Sequence, residues 1–222
     1  MKILALDLSS ARGSIAVRGD EKEEFFRDWP NDRKNSGPFF EHLAEVQKKF
    51  GKLDTIIVGL GPGSYAGTRI AISAAIGLSF GGTTLACPEP VERVSSPGDG
   101  ARPSIRLIGF PSICAIDCEA PEYCVVGDAR RQTFFFARVR ENDLSEAPDL
   151  MSKAELREKL DKVDRKMSIF SAENLPQFDR VQLRYPSAKL LATLAADPKR
   201  NFIRPPLEPI YLREPHITIP KK

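Results

Sequence analysis

Three sets of residues have types and spacings that chemistry could use. The first is the turn Gly61-Pro62-Gly63-Ser64-Tyr65-Ala66, between the apolar run Thr55–Leu60 and a helical stretch. Gly61, Gly63 and Ala66 match the G-x-G-x-x-A spacing of a dinucleotide turn, where unpaired amides at a helix start receive a phosphate. Glu89 stands near the position of a ribose ligand. Against that use, Pro62 takes an amide out of the turn, and Gly81, Gly82 and Pro88 interrupt the path to Glu89. A P-loop is excluded, because Gly67 is followed by Thr68 and Arg69 where lysine and a hydroxyl are required.

The second set is a pair of aspartates about half the chain apart, Asp7 after "ILAL" and Asp128 after "YCVVG". Each is followed by a polar turn and a returning apolar run. Where such an aspartate serves magnesium and phosphate, glycine comes directly after it so that the backbone can approach. Leu8 and Ala129 hold those places, so both aspartates read as turn formers. Arg130 and Arg131 read as a solvated turn.

The third set is the thiols and imidazoles. Cys114, Cys118 and Cys124 lack paired C-x₂-C spacing, Cys87 stands apart, and His42 and His216 cannot form an H-x₃-H pair. Neither a Ser/His/Asp nor a Cys/His arrangement is signalled, so peptidase chemistry has no visible nucleophile or metal pair. No metal or cofactor is expected. The balance of 33 basic and 30 acidic side chains, net +3, is too small to advertise nucleic-acid binding. No run approaches the roughly 18 apolar residues of a membrane span, and Asp7 comes too early for a secretory signal. A cytoplasmic protein is expected.

These residues need elements to hold them. Ile3–Leu6 and Ser14–Val17 read as antiparallel strands, and Thr55–Leu60 as a strand covered on both faces. Phe39, Leu43, Val46 and Phe50 recur at helical spacing and stop at Gly51. Tyr123–Gly127 and Thr133–Val139 repeat the first hairpin, which suggests two related α/β halves. A helix capped by Ser152 and Glu155, a strand in "MSIFSA" and a helix in "SAKLLATLAA" follow. The proline-rich "LEPIYLREP" predicts an extended segment along the body. Residues 81–106 hold four prolines and four glycines, a predicted loop ending the first of two domains, 1–106 and 107–222.

The helix after the glycine turn, Ala66–Phe80, is apolar nearly all round. Its polar strip is narrow, Arg69 and Ser73 with Gly77, and Ile70, Ile72, Ile76, Leu78 and alanines fill the remainder. Such a helix must be covered, either inside its own fold or by a second polypeptide. Small side chains at Ala71, Ser73, Ala74, Ala75 and Gly77 favour close approach by another helix, and a subunit interface is the favoured reading.

In combination, "ILALDLSSARGSIAV", "VGLGPGSYAGTRIAISAAIGLSF", "VVGDARRQTFFFARV" and "EPIYLR" resemble the bacterial TsaB (YeaZ-like) family. The resemblance implies two RNase H-like halves of the actin and sugar-kinase superfamily, each a mixed sheet with flanking helices, without working catalytic or ATP sites. It implies a non-catalytic partner of a TsaD-type subunit, which transfers threonylcarbamoyl to a tRNA adenosine. A TsaE-like ATPase joins them, tRNA is met only through the complex, and a homodimer through the same surface is possible. The interface then falls on Phe40, Leu43 and Gln47 of one helix and Arg69, Ile70, Ser73, Ala74, Ile76 and Gly77 of the other. Thr68 and Ala71 depart from the family's Phe-Thr-Gly-Leu-Arg-Ile-Gly. The competing class is a nucleotide-using enzyme built on Asp7, Gly61 and Gly63.

Overall fold

The computed structural model describes residues 1–19, 23–31, 35–80 and 105–213. Residues 81–104, with Cys87 and Glu89, lie outside that range, as does His216. Two mixed five-stranded sheets form the protein. The first contains β1 (Ile3–Asp7), β2 (Arg12–Arg18), β3 (Glu23–Pro30), β4 (Thr55–Gly59) and β5 (Arg106–Phe110), in the order β3-β2-β1-β4-β5. The second contains β6 (Glu122–Asp128), β7 (Thr133–Arg140), β8 (Asp143–Ser152), β9 (Ser168–Ser171) and β10 (Val181–Leu183), in the order β10-β9-β6-β7-β8. Counted within each half, both sheets run 3-2-1-4-5, three antiparallel strands and then two parallel ones. The repeated hairpin of the sequence is therefore a repeated sheet.

Among the described residues, four α-helices cover these sheets: α1 (Gly37–Phe50), α2 (Tyr65–Phe80), α3 (Lys153–Lys162) and α4 (Ala188–Ala195). The period of two in the strands decides which core each residue enters. In β1, Leu4 and Leu6 face outward with Ile15, Val17, Ile56 and Val58, beneath the α1 stripe and Ala71, Ile72 and Ala75 of α2. Ile3 and Ala5 face inward, and Leu191 and Ala192 of α4 fill the space between them and Val125, Phe135 and Ala137 of the second sheet. Cys124, Val126, Phe134 and Phe136 face the other way, onto Leu156 and Leu160 of α3. The expected helix and capping box are present, with the Ser152 side chain accepting from Glu155 N–H and the Glu155 carboxylate accepting from Ser152 N–H.

Four strands had no sequence signal. β3 and β8 are edges, and β8 pairs irregularly on either side of Arg138, which leaves room for Pro148 without breaking a ladder. β10 is a three-residue edge. The fourth, β5, pairs along its length with β4. The first sheet therefore runs on to Phe110, past the boundary expected at residue 106.

Candidate functional site

The glycine turn is occupied by its own chain. Ser64 N–H donates to the Ser9 carbonyl, and a side chain added at Gly63 would collide with that oxygen. At Gly67 an added side chain would strike the Leu8 carbonyl, so glycine here lets α2 close onto the β1–β2 turn. Ser64 caps the helix: its Oγ accepts from Gly67 N–H at 3.3 Å and its carbonyl accepts from Thr68 N–H at 3.0 Å. Gly61 N–H donates to Ser112 Oγ at 2.9 Å. Three amides of the turn, those of Gly61, Ser64 and Gly67, are thus bonded within the chain.

Asp7 is completely buried. Its Oδ1 accepts from Ser9 N–H at 2.9 Å and Ser9 Oγ at 2.7 Å, while Oδ2 has no bonding partner and lies beside Gly59 and the Ser112 hydroxyl. Burial pushes its pKa up, and the Ser112 and Ser9 contacts offset part of that rise. Asp128 repeats the turn on the second sheet, its Oδ1 accepting from Arg130 N–H at 2.7 Å. Both aspartates fasten turns.

A cleft of about 240 Å³ separates the two sheets at these turns. Ser9, Ser10, Gly63, Ser64 and Thr68 line it on one side, Asp128, Arg130, Ser171 and Glu173 on the other, and Pro209–Arg213 along its edge. Neither Asp7 nor Gly61 reaches its wall. Arg130, Arg131 and Gln132 all have left-handed backbones, with φ of 68°, 53° and 60°. Three consecutive non-glycine residues in that region cost about 1–2 kcal/mol each.

The other feature is the outer face of α2. Ala71, Ile72 and Ala75 point into the core, while Arg69, Ser73, Ile76 and Gly77 come to solvent, and Ile70 and Ala74 are half-buried beside them. Ile76 is 37% exposed, Tyr65 45% and Phe80 87%. On α1, Phe40 is 48% exposed and Gln47 half-buried. Leu43 corrects the expected interface: it is 3% exposed, inside the core beneath α1, and no partner can reach it. Tyr65 and Phe80 escaped the sequence reading, although extending the Arg69-Ser73-Gly77 strip one turn either way leads to them. Among the described residues, four of the eight large exposed apolar side chains lie on these two helices. The two helices cover the same face of the first sheet, α1 over β2 and β3 and α2 over β4 and β5. Arg69 is the single charged side chain on α2, its guanidinium 4.4 Å over the Tyr65 ring, and among the described residues it makes no ion pair.

The fold defines a class: a two-lobed α/β protein whose lobes repeat one mixed five-stranded sheet. No protein-family model and no curated protein matches the sequence. Solved structures do match. One is an uncharacterized protein with similarity to peptidase YeaZ from Pseudomonas aeruginosa, at 16% identity and a TM-score of 0.68, covering 96% of this chain and 99% of that one. Another is YeaZ from Pseudomonas aeruginosa, at 16% identity and a TM-score of 0.61, covering 87% of this chain and 90% of that one. At such identity the likeness establishes the shared fold. Among the described residues, no helix is long and apolar enough to cross a membrane.

Proposed function

We propose that this chain is a non-catalytic, cytoplasmic scaffold subunit of the TsaB (YeaZ-like) family. It holds a TsaD-type threonylcarbamoyltransferase, is joined by a TsaE-like ATPase, and meets tRNA only through that complex. One observation carries the reading: α2 presents Tyr65, Ile76 and Phe80 to solvent beside the small residues Ser73 and Gly77, a face that gains by being covered. The partner is proposed from the resemblance of the sequence motifs to the TsaB family, and the YeaZ-like fold is compatible with that resemblance. The commitment of the glycine turn to packing argues against a nucleotide-using enzyme at Gly61 and Gly63. Co-expression with the TsaD-type subunit of the same organism, followed by size-exclusion chromatography and identification of the chains, tests the reading. A one-to-one complex is expected. Recovery of only monomer or homodimer overturns it.

A further inference from the structure

The C-terminal segment Leu207–Arg213 touches both walls of the cleft and the docking helix. Leu207 is buried in the outer core of the first sheet, and Ile210 packs against the same core. Ile210 N–H donates to the Leu60 carbonyl at 2.8 Å, directly before the glycine turn. The Tyr211 ring stands 5.3 Å from that of Tyr65, in the first turn of α2, and its hydroxyl faces Tyr65 and Arg69. Two residues on, the Arg213 guanidinium donates to Thr133 Oγ1. That hydroxyl in turn donates to the Arg130 carbonyl at 2.7 Å, which closes the left-handed turn of the second lobe.

We propose that Leu207–Arg213 is a latch that ties the N-terminal end of the docking face to the second lobe across the cleft, with Tyr211 and Arg213 as its positioning residues. Tyr65 belongs to the cleft wall and to the exposed face of α2 at once. A partner seated on Tyr65 and Arg69 therefore meets a surface whose shape depends on the setting of the two lobes, and docking and lobe setting are linked equilibria. The latch fastens to the turn whose backbone is under strain, where a released contact can change conformation.

Amide exchange on the isolated chain, read by mass spectrometry, tests the latch. Tyr211→Ala and Arg213→Ala are each expected to speed exchange about fivefold or more at Gly67 and Thr68 and at Ala129 and Thr133, on opposite lobes, with α3 unchanged. Arg213→Lys, which keeps a donor for Thr133, is expected to restore the slow rates. Faster exchange confined to residues 207–213 overturns the proposal. A second measurement rests on the docking reading: Arg213→Ala, which leaves the exposed face of α2 untouched, is expected to weaken TsaD-type binding about tenfold, and unchanged affinity overturns the linkage. If the wild-type chain binds no such subunit, the docking reading fails, and exchange alone decides the latch.

Discussion

Replacing Ile76 with glutamate discriminates sharply, because burial and charge act there with different magnitudes. Ile76 already buries about two-thirds of its surface against α2's own surroundings, 37% remaining exposed. Complete burial of an isoleucine is worth about 1.5–3 kcal/mol, so covering the remaining third contributes about 0.5–1 kcal/mol. Ile76→Ala should therefore weaken docking only about two- to fivefold. A carboxylate at the same place, sealed under a partner without a counter-charge, costs about 3–5 kcal/mol, more than a hundredfold in affinity. In the free chain that carboxylate reaches water, and surface substitutions of this kind shift stability by about 0.5 kcal/mol or less. Calorimetric titration of the purified variants with the TsaD-type subunit, beside thermal melts, should show the alanine variant mildly impaired, the glutamate variant unable to bind, and both folded. The reasoning is refuted if Ile76→Glu binds within about threefold of wild type.

Other expectations follow from the turns beneath that face. Burial raises the Asp7 pKa, so the folded state holds its proton above the ordinary value of 3.8, and stability falls as pH rises from there through the raised native value. Asp7→Asn should melt higher than wild type at pH 7 and lose the advantage in acid; equal melting temperatures across pH would contradict the assigned burial cost. Gly67→Ala drives a methyl group into the Leu8 carbonyl and should cost about 1–3 kcal/mol. In a chain of this size that is about 2–4 °C per kcal/mol, and an unshifted melt would show that the approach is not tight. Calorimetry with ATP, ADP and NAD should give no micromolar binding by the isolated chain, and such binding abolished by Asp7→Ala would restore the nucleotide-enzyme reading.

Much of the framework was legible because its signals are local. The α1 stripe, the stop at Gly51, the buried run of β4 and the capping box before α3 each appear within one or two turns of chain. The edge strands were not, because an edge need not alternate: β8 exposes much of both faces and carries Pro148. Leu43 was assigned to the core stripe and to the interface together, and the helix can present it in only one direction. The glycine spacing suggested phosphate, yet what Gly63 and Gly67 accommodate is backbone oxygen from residues more than fifty positions earlier, a contact invisible to any local pattern. Tyr65 and Tyr211 are still farther apart in sequence.

The position of α4 has a consequence for the repeat itself. Its N-terminal amide, at Ala188, donates to Ser14 on the first sheet at 2.9 Å, while Leu191 and Ala192 close a single hydrophobic interior shared with the second. A gene fragment ending before this helix would leave the amino-terminal sheet open along Ile3, Ala5, Ala16 and Ile57. The repeated sheets thus do not close separately: the inner face of the earlier one is roofed by a helix that the later half supplies.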